Sequence, residues 1–242
     1  MTGLTHHLVL KLEQRDRLSD HEKRVLEAAV VRVREVRADE DIVREGDRPL
    51  ESSLLLDGFA ARYKVLSTGR RQITALHVPG DFVDLHSFLL KVMDHGVLAL
   101  TPCRIGLVPH AVLEKITEEH PHLARLLWLS TLVDGAIHRE WLTAMGRRSA
   151  TAHMAHLVCE LFVRLGAIGR VQDSTIQLPI TQSELGDTLG LSTVHVNRVL
   201  QELRKDGLIR TRGSELTVLD WERLQALAEF TPIYLSMQTE RR

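Results

Sequence analysis

Apolar residues recur at helical spacing from Leu18 to Arg34, at Leu18, Val25, Leu26, Ala29 and Val33, and this periodicity predicts an opening helical segment. Between Val36 and Val108 the texture changes to short apolar runs separated by Gly46-Asp47, Asp57-Gly58, Thr68-Gly69 and Pro79-Gly80. Such regular punctuation predicts compact antiparallel β structure, with the glycines placed to allow positive φ rather than to bind phosphate. Beyond Pro109 the pattern turns helical, and Leu123, Leu126, Leu127, Leu132, Val133, Ala136, Ile137, Trp141 and Leu142 fall on one broad side. A half-apolar helix of that length exceeds what one small core covers, so a partner chain is expected against it; packing on the β domain is the plainer reading. Gly146-Arg147-Arg148-Ser149 interrupts the pattern, with glycine to end one helix and serine to cap the next. The expected fold class is α+β, with a β domain over 1–120, a long helix over 121–147 and a second domain over 148–242.

The most informative stretch runs from Ile180 to Arg204. Thr181 followed by Glu184 is a capping box, so a helix should start there and reach about Leu189. Gly190 supplies a tight turn, and Ser192 can cap a second helix in which Val196, Val199, Leu200 and Leu203 pack inward. Thr193, Val194, Asn197, Arg198 and Gln201 are left facing outward, with His195 beside them. Helix, glycine turn and polar-faced second helix is the layout that enters the DNA major groove. Arg198 suits bidentate reading of guanine, Asn197 suits adenine or phosphate, and Val194 suits a thymine methyl.

The chain has 242 residues, enough for two domains, and a formal net charge of -1, so any DNA binding must come from a local basic face. Its two cysteines, Cys103 and Cys159, sit among apolar neighbours and fit a reducing compartment. No apolar run approaches the roughly 20 residues of a membrane span, and the start lacks a signal-peptide pattern; a cytoplasmic protein without a membrane partner is expected.

From Thr181 to Leu203 the sequence resembles the helix-turn-helix of the Crp/Fnr family, with its E-L-G-x-x-L-G-L-S core and V-x-R-x-L continuation. Gly46-Asp47, Gly58, Gly69 and Gly80-Asp81-Phe82 are similar to the glycine frame of that family's cyclic-nucleotide-binding-like β roll, so the resemblance spans nearly the whole chain. It implies an antiparallel β-roll sensor, a dimerisation helix and a C-terminal winged helix-turn-helix. Lys205 to Ile209, then Arg210, Arg212 and Gly213, resemble the wing hairpin, where both arginines would meet backbone phosphate. Thr181 and Ser192 complete the expected DNA-binding set with Thr193, Val194, His195, Asn197, Arg198, Gln201, Arg210 and Arg212. Val194 departs from the family's cytosine-reading glutamate and implies a different half-site. The role of His195 stays open.

By the same resemblance, an effector pocket is expected around Arg62, Phe82, Val83, Asp84, Leu85, His86 and Ser87. The family's ribose-holding glutamate falls at Leu85 and its phosphate-holding arginine-serine pair near Met93 and Asp94, so cyclic AMP is disfavoured, with Lys91 or Arg62 as possible rescuers. An iron–sulfur cluster is disfavoured because the N-terminal segment has no cysteine. Haem stays open. His86 is a candidate effector or haem contact and equally a packing histidine. Of the 13 histidines, His153 and His156 form the best-spaced pair, yet no metal site is expected. His6-His7 and His120-Pro121-His122 read as surface features, Cys103 as a packing residue, and Trp128 and Trp141 as core or interface anchors.

No nucleophile motif, phosphate loop or metal-ligand set marks an enzyme. The expected function is a homodimeric, sequence-specific transcription regulator on a palindromic operator, with RNA polymerase as a partner if it activates. Alternatives are a regulator that binds DNA without any effector, and a small-molecule-binding module that does not use DNA.

Overall fold

The computed structural model describes residues 3–240. Its elements are α1 (His6–Glu13), α2 (Asp20–Ala29), β1 (Arg32–Val36), β2 (Asp41–Val43), β3 (Glu51–Asp57), β4 (Ala60–Val65), β5 (Arg71–His77), α3 (Ser87–Leu90), β6 (Gly96–Ala99), β7 (Cys103–Pro109), α4 (His110–Glu119), α5 (Pro121–Arg147) and α6 (Ala150–Ala167). Then follow β8 (Thr175–Gln177), α7 (Gln182–Leu189), α8 (Thr193–Lys205), β9 (Ile209–Arg212), β10 (Glu215–Val218), α9 (Trp221–Ala228) and a 3-10 turn at Pro232–Leu235. Two compact units result: one takes residues up to 64, 74–135 and from 236 onward, the other 65–73 and 136–235. The division runs through α5, whereas the sequence reading set its boundary at Gly146.

In the first unit the opening helix is shorter than the periodicity suggests. Ser19 and Glu22 form a reciprocal capping box at the start of α2, and Val30 closes it in an extended conformation. Arg32–Val36, including Val33, joins a sheet instead, because it pairs in antiparallel register with β7, Val36 opposite Cys103. An additional helix, α1, precedes it and buries Leu8 and Leu12, one turn apart, against Leu26, Leu54, Leu113, Leu123 and Leu126. The β structure forms two antiparallel sheets, in the orders β1-β7-β3 and β2-β6-β4-β5. Alternation along β3 divides the apolar side chains: Leu54 and Leu56 join the helix-side cluster, and Leu55 joins an inner cluster with Val36, Val43, Val83, Val97 and Ile105.

The apolar residues of α5 occupy two faces rather than one broad side. Leu123, Leu126, Leu127, Val133, Ile137 and Trp141 are buried, while Trp128, Leu132, Leu142 and Met145 are 67%, 53%, 69% and 48% exposed. These four recur at i, i+4, i+14 and i+17, a stripe down one side of the helix.

The second unit is built on α6, capped by Ser149, whose hydroxyl accepts from the Ala152 N–H at 3.2 Å. Glu160 on α6 is fully buried and accepts three hydrogen bonds, from Trp141 Nε1 (3.1 Å), the Tyr234 hydroxyl (2.9 Å) and the Arg164 guanidinium (3.0 Å). Burial pushes its carboxyl above the usual range, against the pull of Arg164 and the two other donors. One carboxylate thus fastens α5, α6 and the C-terminal turn together. A three-stranded sheet in the order β8-β10-β9 and helix α9 complete the unit.

Candidate functional site

Helices α7 and α8 form within one residue of where their caps predict. The Thr181 hydroxyl accepts from Glu184 N–H at 3.2 Å while the Glu184 carboxylate accepts from Thr181 N–H at 2.6 Å. Gly190 ends α7 at φ 69°, in the left-handed region that favours glycine. The Ser192 hydroxyl then accepts from His195 N–H at 3.3 Å and starts α8. Gly186 is required for a different reason. A Cβ there would lie 2.6 Å from the Leu191 carbonyl oxygen, so only glycine lets the turn fold back onto α7. That approach is fastened by a 3.0 Å hydrogen bond from Leu191 N–H to the Gly186 carbonyl.

Val196, Val199, Leu200 and Leu203 are buried, and the opposite face of α8 is open. Thr193, Val194, Arg198 and Gln201 are exposed, while His195 and Asn197 are half-buried. Val194 is 81% exposed, a branched apolar side chain standing alone in solvent. Among the described residues Arg198 forms an ion pair with Glu202, at 4.0 Å, a contact weak enough to give up for a base. The Asn197 amide donates to Gln182 Oε1 at 3.3 Å, which aligns it with the start of α7. Behind the helix, Arg210 and Arg212 project from β9 two residues apart, both exposed, beside the turn at Gly213. Arg204 donates to the Thr211 hydroxyl at 2.8 Å and ties the end of α8 to this hairpin. The Thr181 and Ser192 hydroxyls accept as N-caps and so hold the starts of α7 and α8.

Along the stretch from Phe82 to Ser87 the side chains go to different neighbours. Phe82 and Leu85 pack on the helix-side cluster, and Val83 lies in the inner one. Asp84 accepts from Ser53 N–H at 2.5 Å, and burial raises its carboxyl to about 7. The Ser87 hydroxyl pairs with His110 Nε2 at 3.2 Å. Arg62, itself buried, reaches across 72 positions to the Asp134 carboxylate on α5, at 3.0 Å. His86 stacks at a tilt on His95, with ring centroids 4.9 Å apart, and burial first, then the charge of Arg62, lowers both imidazoles to about 4. Asp94, His95 and Asp134 were not among the expected pocket residues; nothing in local spacing relates Arg62 to a helix so far along the chain.

Other histidines also depart from expectation. His122 is no free surface group: its ring nitrogens lie 2.6 Å from Glu22 and 3.2 Å from Asp16, so it braces α5 against α2. His153 and His156 are buried, the latter stacked on Tyr234. Cys103 is buried and its thiol donates to backbone carbonyls at Phe59 and Thr101. Trp141 is a core residue, whereas Trp128 is exposed.

An antiparallel β roll followed by a long helix and a capped helix-turn-helix with a basic wing defines a DNA-binding transcription regulator, not an enzyme. Residues 152–227 match the Crp-like helix-turn-helix domain and residues 33–120 match the cyclic nucleotide-binding domain. The chain belongs to the Crp/Fnr family. It is 28% identical over 196 residues to the transcriptional activator protein FnrL of Cereibacter sphaeroides, covering 79% of this chain and 78% of that one. It is 29% identical over 194 residues to the nitrogen fixation regulation protein FixK of Bradyrhizobium diazoefficiens, covering 78% of each. Among solved structures, FixK2 from Bradyrhizobium japonicum superposes with a TM-score of 0.71 at 26% identity, over 81% of this chain and 96% of that one. No helix among the described residues is long and apolar enough to cross a membrane.

Proposed function

We propose that the protein acts in the cytoplasm as a homodimer that places two copies of α8 in successive major grooves of a palindromic operator, and that it contacts RNA polymerase where it activates. The observation that carries this reading is the outer face of α8, where Val194, Arg198 and Gln201 stand exposed on a helix capped at its start and tied to a wing bearing Arg210 and Arg212. A free arginine fork reads guanine, and wing arginines fix register on phosphate. The apolar stripe on α5 supplies the dimer contact. The relatives named as transcriptional activators support gene regulation as the task.

The ligands that the family description suggests fit this chain poorly. A cyclic phosphate would meet the Asp94 carboxylate, while Arg62 is engaged by Asp134 and Leu85 packs into the helix-side core. An iron–sulfur cluster takes four thiolates; this chain's two cysteines are buried in separate units, and burial raises both thiols, Cys159 to about 12. Control of DNA binding is therefore assigned to a different ligand in the roll, or to none.

In-vitro selection from a random duplex pool, with full-length protein at physiological salt, tests the proposal. A two-fold symmetric motif with half-sites about one DNA turn apart is the expected product. Recovery of unsymmetrical or unenriched sequence would refute it.

A further inference from the structure

We propose that His86, Asp94 and His95 form a binding site for a divalent transition-metal ion of the zinc class inside the first unit. One donor atom from each residue lies within 4.8 Å of the others, a cluster that local spacing does not reveal because His86 comes from the segment before α3 and the other two from the loop before β6. The Nε2 atoms of both histidines are buried and have no hydrogen-bond partner. Buried polar atoms are nearly always satisfied, and two orphaned imidazole nitrogens on stacked rings ask for an acceptor of lone pairs.

The donor set selects the ion. Two imidazoles and a carboxylate suit a borderline cation such as Zn2+, which binds such triads with a coordination position left open. Mg2+ and Ca2+ prefer sites made of oxygen. Asp94 accepts from His95 Nδ1 at 2.7 Å and its side chain is 76% exposed, so it serves either as a ligand or as the partner that orients His95, and it opens the entry path. Ligand atoms around tetrahedral zinc sit roughly 3.4 Å apart, so no pair of donors need close by more than roughly 1.4 Å, which a loop carboxylate can help to supply. The neighbouring positive charge, Arg62, is countered by Asp134.

The test uses full-length protein stripped of metal, titrated with Zn2+ by calorimetry and with Co2+ by its visible d–d absorption. One equivalent per chain is expected, with Mg2+ inert. Asp94→Asn and His86→Ala should each weaken binding tenfold or more. A His21→Ala/His120→Ala variant, which removes a second close pair of rings, should bind as the wild type does. Absence of stoichiometric binding, equal response to Mg2+, or affinity unchanged in Asp94→Asn and His86→Ala would each overturn the site. Asp94 is exposed, so its variant reads binding in a folded protein even if removal of the His86 ring disturbs the roll. None of these measurements involves DNA, so the metal site stands or falls apart from the operator reading.

Discussion

Arg198 and Arg212 differ in what their surroundings let them do. Arg198 sits on the exposed side of α8 with a long contact to Glu202, whereas Arg212 sits in the wing next to its turn. Arg198→Ala is expected to cost about 1–3 kcal/mol on the selected operator and to relax one base position; Arg212→Ala should weaken all sequences alike. Competition binding against operator and random DNA separates the two. Gly186 makes a sharper case. Alanine there gains helix propensity of about 1 kcal/mol, yet its Cβ would press on a backbone carbonyl that cannot swing away. Gly186→Ala should therefore destabilise the protein by about 1–3 kcal/mol in urea unfolding, with loss of operator binding as α8 shifts. Caps and buried positions in this region were legible because each rests on residues within a few positions. The triad at His86, Asp94 and His95 was not, because it depends on how a loop folds back.

At the scale of elements, burial decided what periodicity could not. A period of 3.6 says which residues of α5 share a direction; it does not say how many partners that helix has, and two apolar faces looked like one. Val33 shows the same limit at the other end of the chain, where pairing with β7 overrode a helical pattern. Glu160 was invisible to pattern because a charged residue on an apolar helix reads as a solvent-facing position. With Trp141, Tyr234 and Arg164 all donating to it, Glu160→Ala removes a buried acceptor that three side chains share and should cost about 3–5 kcal/mol, whereas Glu160→Gln keeps an acceptor and should cost less. Thermal and urea unfolding compare the pair. His153 and His156 add a pH dependence to the same helix. Burial first, then Arg148, lowers both imidazoles to about 4, with Glu140 3.7 Å from His156 as the opposing charge. Because the unfolded chain takes up these protons near pH 6.5 and the folded one near 4, the contribution is complete above about 6.5 and is lost as pH falls toward 4. Each histidine adds up to about 1.4 kcal/mol per pH unit in that window. Urea midpoints measured from pH 7 to 4.5 should fall steadily, and His153→Gln/His156→Gln should flatten the decline.

For the molecule as a whole, the outward stripe of Trp128, Leu132, Leu142 and Met145 predicts the state of assembly. None of these side chains is needed inside the chain, so Leu132→Glu should leave the fold intact, shift the particle to half its mass in light scattering, and weaken operator binding with it. Compact antiparallel β structure, the long helix and the helix-turn-helix were legible in turn glycines, apolar spacing and caps, whereas the roll and the wing were expected from the family resemblance. What the roll holds was not, since pocket chemistry depends on contacts such as Arg62 with Asp134 that cross most of a unit. The stripe on α5 also has a consequence for expression. Where an operator accepts only paired chains, occupancy at low abundance rises with the square of protein concentration. If α5 pairs the chains as proposed and most free chains are single, a twofold change in synthesis becomes roughly a fourfold change in occupancy, a means of control that needs no ligand.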